Sequence, residues 1–223
     1  MTAGSTLTLR IGQVRREERD DVFGFHQSFI GEFLLPLTPE AFAELVEAGT
    51  LLAVHRDDRI VGVCYVKPDG KNLDDVLRWE IGGIHLDPAV RGYGLGEALT
   101  AVRITQAIGI APRPVMAYVH RENREPRGYL RRLGFADTGR TVRLGPTDAA
   151  GYLRRDAAGD AVADVLTLAP PALSRLATWL EDFDGTIAGR NGRAAIALPG
   201  TPLWTSRTGL AATLRQAAEQ RTF

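Results

Sequence analysis

Apolar positions change their period along the chain, and each change marks an element. Residues 7–14 alternate weakly, as a strand with one buried face does. Over residues 16–33, Val22, Phe23, His26, Phe29, Ile30 and Phe33 fall at helical spacing and predict a first helix. A second helix starts on Thr38, a good N-cap, with Pro39 in its first turn and Gly49 as its stop. Residues 51–55 and 60–66 are apolar runs around Arg56-Asp57-Asp58-Arg59 and predict a β-hairpin, followed by a polar loop over 67–75. Residues 79–86 predict a strand with Gly82-Gly83 in its middle, where glycine marks a bulge or a close backbone approach; Asp87-Pro88 ends it. A helix then opens at Gly94 or Leu95 and runs to about Ile108, with Leu95, Ala98, Leu99 and Val102 on one face. A strand over 114–120 and a short helix over 126–133, closed by Gly134, follow. Beyond Phe135 the pattern predicts strands at 141–144 and 161–168 around a loop rich in Ala, Gly and Asp. Pro170-Pro171 marks a boundary, followed by a helix over 173–183, a hairpin turning at Asn191-Gly192 and a helix over 209–220. This order is mixed α/β.

Composition narrows the function classes. The 223 residues suffice for one large domain or a domain with an appendage, and 44% apolar with 24% charged content is ordinary for a globular protein. Lys plus Arg equals Asp plus Glu at 27 each, so nothing points to a nucleic-acid or membrane-surface partner. Cys64 is the only cysteine, and the four histidines are scattered, so neither a disulfide framework nor a metal site is expected. No run is long enough for a membrane-spanning helix and MTAGSTLTLR has no apolar signal core, so a cytoplasmic enzyme is expected.

Most of the chemical information lies in Leu86-Asp87-Pro88-Ala89-Val90-Arg91-Gly92-Tyr93-Gly94-Leu95-Gly96. A strand ends, three glycines alternate and a helix begins, so free N–H groups and a positive helix end converge on one point that suits phosphate. Glycine lets the phosphate approach the backbone, and Arg91 adds a charge and donors. A P-loop would need Gly-Lys-Ser/Thr at its end, and a dinucleotide site G-x-G-x-x-G; the sequence has neither. Coenzyme A is the remaining nucleotide.

The chain resembles the GNAT superfamily of acyl-CoA-dependent N-acyltransferases. Arg91, Gly94 and Gly96 match its motif Arg/Gln-x-x-Gly-x-Gly/Ala, and the run from Asn123 to Arg131-Arg132-Leu133-Gly134-Phe135 resembles its closing element. The resemblance implies a central, mostly antiparallel sheet with a splayed parallel pair, flanked by helices. Residues 1–168 would form the acyltransferase domain, and 169–223 an extension packed on it or on a second subunit. It implies acetyl-CoA as co-substrate, bound by Arg91, Gly92, Tyr93, Gly94, Leu95 and Gly96. The backbone of Ile84, His85 and Leu86 would pair with the pantetheine arm, and the Asn123 side chain would bond it. Glu80 matches the position of the carboxylate that takes the amine's proton. The family's thiolate-protonating tyrosine would stand at Leu130. Tyr129 is one residue earlier, so its ring should leave the helix about 100° away and pack or meet solvent, with Tyr93 or water in its place.

The acceptor expected is a primary amine, that of a small molecule. The rival readings are a non-catalytic CoA-binding module and a protein N-acetyltransferase, which would need an open groove. Phe25, Phe29, Phe33 and Trp79 fit either an acceptor pocket or a core, and His120 either the acceptor or solvent. His26 among phenylalanines reads as packed and Cys64 as inert core; Arg124, Arg127, Arg131 and Arg132 read mainly as a solvated face. Leu173, Leu176, Trp179 and Leu180 form an apolar helix face that needs a partner, either the domain or a second copy of the chain.

Overall fold

The computed structural model describes residues 7–69, 76–145, 153–197 and 207–220. In chain order they form β1 (Leu7–Gln13), α1 (Arg19–Ser28), α2 (Pro39–Glu47), β2 (Leu51–Arg56), β3 (Arg59–Pro68), β4 (Trp79–Leu86), α3 (Leu95–Ile110) and β5 (Val115–His120). Then come α4 (Arg124–Leu133), β6 (Phe135–Leu144), β7 (Ala161–Leu168), α5 (Pro170–Asp182), β8 (Thr186–Gly189), β9 (Gly192–Ala197) and α6 (Arg207–Glu219). All the strands join one sheet, in the order β6-β7-β5-β4-β3-β2-β1-β9-β8. The sheet is antiparallel except at β4–β5 and β1–β9. No helix among the described residues is long and apolar enough to cross a membrane.

Two backbone features open the middle of this sheet. The parallel strands β4 and β5 pair only at Trp79↔Val115 and Glu80↔Met116, and beyond that register they part. On the other edge of β4 the register with β3 slips between Cys64 and Val66, so Gly82 and Gly83 together stand opposite Tyr65. The glycine is required there: a Cβ on Gly82 would lie 1.8 Å from the Tyr65 ring.

Alternation along β3 sends successive side chains into two cores. Val63 and Tyr65 face α1 and α2, where Val22, Phe42, Leu45 and Val46 are buried. Val66 faces α3, α5 and α6, whose Ile104, Ile108, Leu173, Leu176, Leu180 and Leu214 fill the larger core. Each such leucine contributes about 1.5–3 kcal/mol. The apolar face of α5 is thus covered within the chain, and β9 extends the sheet beyond β1.

Two elements differ from the sequence pattern. The first helix is a 3-10 turn over Arg16–Glu18 followed by α1, and it ends at Ser28 rather than Phe33. Gly31 and Pro36 disfavour continuing it, and residues 29–37 instead cross over the sheet opening. Strand β6 starts at Phe135, six residues before the alternation becomes visible, because Gly134 (φ 101) turns the chain and buries Phe135. The polar stretch after it is a bulge between Asp137 and Thr141.

Candidate active site

The parting of β4 and β5 leaves one cleft of about 1160 Å³. It runs from the start of α3 to the residues that follow α1.

At one end lies the glycine turn. Gly92 and Gly94 take φ of 81° and 84°, the left-handed region that favours glycine, and α3 begins on the second of them. The N–H groups of Gly92, Tyr93, Gly94, Leu95 and Gly96 find no acceptor among the described residues. Five successive donors at a helix N-terminus are the chemistry that suits an anion. Arg91 folds beside it, its Nε donating to Leu86 O at 3.0 Å. These residues fit the pyrophosphate of coenzyme A in donor chemistry.

The middle of the cleft is lined by Ile84, His85, Leu86 and Asn123. Asn123 stands at the N-cap of α4 but makes no side-chain capping bond. Leu130, 3% exposed, belongs to the larger core, against which the Tyr129 ring also packs, and both residues line the cleft. The Tyr129 ring lies 3.7 Å from where a Gly96 Cβ would be. Burial raises its pKa. Arg103 comes up from α3 beneath the β4 bulge. It is 1% exposed, with Nη1 donating to Tyr65 O (2.9 Å) and Gly82 O (2.5 Å) and Nη2 donating to Thr100 Oγ1 (3.0 Å). Its Nε has no partner, and burial lowers its pKa.

The far end is acidic and aromatic. The Glu80 carboxylate lies 3.4 Å from Lys67 Nζ. Tyr118 donates to Asp69 Oδ1 at 2.9 Å, and burial first, then that carboxylate, raises the phenol's pKa. Burial pushes the Tyr65 phenol to about 12. His85 packs edge-on against His26 with centroids 4.6 Å apart, and burial pushes their pKa values down to about 3 and about 4. Both rings are neutral at pH 7, and His85 Nε2 finds no partner.

This end is closed over. Leu35, in the α1–α2 connection, packs against Leu153 and Ala161, as Leu144 does. Arg154 donates its N–H to Glu32 O at 2.8 Å and pairs with the Glu32 and Glu122 carboxylates. His120 Nε2 donates to Arg154 O at 2.9 Å, and its ring lies 5.1 Å from that of Phe33.

Of the residues read from the sequence, Glu80, Ile84, His85, Leu86, Arg91, Gly92, Gly94, Leu95, Gly96 and Asn123 all line this cleft. Tyr93 does not: its ring packs on the core beside Leu95 and approaches Gly192. Phe29 and Phe33 line the cleft, while Phe25 packs at a tilt against Phe29 and Trp79 is core. Cys64 is buried, its thiol pushed up to about 11. Arg127 is tied to Asp164 and Arg132 to Glu97. Sequence reasoning missed Arg103, Tyr65 and Tyr118. Only Arg103 left a trace, a lone cation among Leu99, Val102, Ile104 and Ala107.

The comparisons with known proteins agree with this geometry. Mycothiol acetyltransferase of Cellulomonas flavigena is 36% identical over 107 residues, 46% of this chain and 30% of that protein. The chain spans under a third of the length of the mycothiol acetyltransferases it matches. Peptidyl-lysine N-acetyltransferase YjaB of Escherichia coli is 25% identical over 143 residues, 60% of this chain and 87% of that protein. Among solved structures, Arabidopsis thaliana Naa50 in complex with the bisubstrate analogue CoA-Ac-MVNAL superposes with a TM-score of 0.53. It is 15% identical and covers 71% of this chain and 97% of its own, a likeness of fold alone. The model of the Acetyltransferase (GNAT) family matches residues 16–135, more than half of the chain, and the chain belongs to that family.

Proposed function

We propose that the protein is an N-acetyltransferase that moves an acetyl group from acetyl-CoA to the primary amine of a small molecule. Acetyl-CoA supplies the activated acyl group as a thioester. The N–H groups of Gly92 to Gly96 and the Arg91 guanidinium hold its phosphates. The backbone of Ile84, His85 and Leu86 pairs with its arm, and the Asn123 amide bonds it. An alkyl ammonium ion, with a pKa near about 10, must lose a proton before it can attack. Glu80 accepts that proton on its carboxylate, directly or through water. Tyr129 is not required as the acid, since a thiol ionises near about pH 8–9 and water suffices to protonate the leaving sulfur.

One observation carries the choice of a small acceptor. The α1–α2 connection meets the Leu153-Arg154 segment across the acceptor end, so a polypeptide would have to displace Leu35 and the Arg154–Glu32 contacts to enter. The Glu80 carboxylate, in one cleft with Phe29, Phe33 and Tyr118, suits an ammonium group on an apolar body. The division at residue 168 is part of the same proposal: 1–168 is the acyltransferase domain and 169–223 an extension folded back on it. The β1–β9 pairing and the packing of α5 and α6 on α3 support it.

Thiol release from acetyl-CoA, measured with aromatic, aliphatic and polyamine acceptors beside lysine-bearing peptides, tests this reading. Turnover with one of the small-amine classes and none with peptides is expected. Turnover with peptides alone would move the protein to the protein acetyltransferases.

A further inference from the structure

The hairpin formed by β8 and β9 lies outside the span matched by the family, yet its tip rests on the phosphate turn. Asn191 Nδ2 donates to Arg91 O at 2.9 Å, and Asn191 N–H donates to Gly92 O at 2.9 Å. The fit is backbone against backbone. A Cβ on Gly189 would lie 2.3 Å from Gly92 O and 2.5 Å from Gly94 N, and one on Gly94 would lie 2.5 Å from Ala188 O. The base of the hairpin is fixed separately by the parallel pairing of β9 with β1, from Leu7↔Ala194 to Arg10↔Ala197. The tip is therefore held at both ends.

Two consequences follow for an anion in the turn. A trans peptide carries its C=O and the next N–H on opposite sides. By binding the carbonyls of Arg91 and Gly92, Asn191 turns the N–H groups of Gly92 and Tyr93 away from the hairpin and leaves them as donors. The second consequence is charge. Arg190, between Gly189 and Asn191, is exposed and lines the same cleft as Arg91 and Gly94, and it has no hydrogen bond or ion pair among the described residues. A guanidinium suits phosphate because its forked donors match two oxygens at once.

We propose that the C-terminal hairpin is a wall of the cofactor site. Arg190 binds a phosphoryl group of coenzyme A from the side opposite the family's own Arg91, and Asn191 is a positioning residue that fixes the tip on the turn. This rests on the coenzyme A reading above. The pyrophosphate and the ribose 3′-phosphate present the same chemistry to Arg190, and dephospho-CoA, which lacks the latter, separates them.

The test is calorimetric titration of the full-length protein with CoA and with dephospho-CoA, without acceptor and at low and high salt. Arg190→Ala, an exposed change, is expected to weaken CoA binding about tenfold at low salt, with a smaller effect at high salt. The same loss with dephospho-CoA assigns Arg190 to the pyrophosphate; a loss seen only with CoA assigns it to the 3′-phosphate. Asn191→Ala is expected to weaken binding at least as much, and the double variant is expected to bind as Asn191→Ala does, because Asn191 positions both the turn and the tip that carries Arg190. Unchanged affinity in Arg190→Ala overturns the proposal. Tighter binding in either variant also overturns it and makes the hairpin an obstruction. If the unaltered protein binds no CoA, the coenzyme A reading itself falls, and this proposal with it.

Discussion

Replacing Arg103 with methionine removes a cation from a place with no carboxylate to balance it. Among the described residues Arg103 makes no ion pair; its partners are two strand carbonyls and a hydroxyl. Bringing a guanidinium into such a site costs several kcal/mol, which its three charge-assisted hydrogen bonds about offset, and methionine, of similar length, removes both the cost and the gain. Tyr65 O and Gly82 O would then be left buried without a donor, at about 1–3 kcal/mol each. Both carbonyls sit at the slipped register of β3 and β4, where the ladder offers no replacement donor. We expect a net loss of about 2 kcal/mol, which for a chain of this size lowers Tm by about 4–8 °C. The functional loss should be larger in proportion, since the relaxed bulge shifts the backbone of Gly82 and Gly83 in the cleft wall. Urea unfolding gives the first quantity and CoA titration the second. A variant as stable as the parent, with unchanged CoA affinity, would show that the guanidinium does not hold the bulge.

Other outcomes follow from the same geometry. Glu80→Gln keeps shape and removes basicity, so turnover at pH 7 should fall by about 10²–10⁴, with the deficit shrinking as pH approaches the amine's own pKa. Initial rates over a pH series check this, and an unchanged rate at pH 7 would remove Glu80 from the mechanism. Tyr129→Phe should lower turnover less than about tenfold; a loss of about a hundredfold with acetyl-CoA affinity unchanged would mean that the phenol serves the sulfur. His26 and His85, held near 4 and 3, refuse protons that the unfolded chain accepts below 6.5. Stability from this source is therefore complete above pH 6.5 and falls as pH drops toward the folded values, by about 1.4 kcal/mol per pH unit for each ring. Urea unfolding at pH 7 and pH 5 should show a smaller acid loss in His85→Gln than in the parent, and equal losses would contradict it.

The phosphate turn was legible because its chemistry is local: a strand end, three glycines and a helix start are contiguous in sequence. Even there the sequence told half the reason. Gly94 leaves room for an anion, but its missing Cβ also admits Ala188 O. A Gly94→Val protein would therefore disturb the hairpin as well as the phosphate site. The Asn191-Gly192 turn was visible from its residues, yet its docking on Arg91 was not, because a contact between residues 100 apart leaves no periodic trace. Arg103 was hidden for a related reason. Helix α3 is buried on nearly all sides, so its one cation reads as an ordinary surface charge until the bulged strand supplies the carbonyls it meets. The end of α1 was missed because Phe29 and Phe33 keep helical spacing although they face the cleft and not a helix partner. Glu80, Asn123 and the motif residues came from family resemblance, which carries positions that periodicity alone cannot rank.

The central claim is that an acetyl group leaves acetyl-CoA for an amine bound beside Glu80. The most direct measurement follows thiol release and the acetylated amine together, by absorbance and by mass spectrometry, for the full-length protein across a panel of small primary amines. The account predicts an acceptor for which the two products appear in equal amounts. Tight CoA binding with no thiol release above the protein-free rate for any amine or peptide would contradict it, and would make the chain a coenzyme A-binding module without acyl transfer.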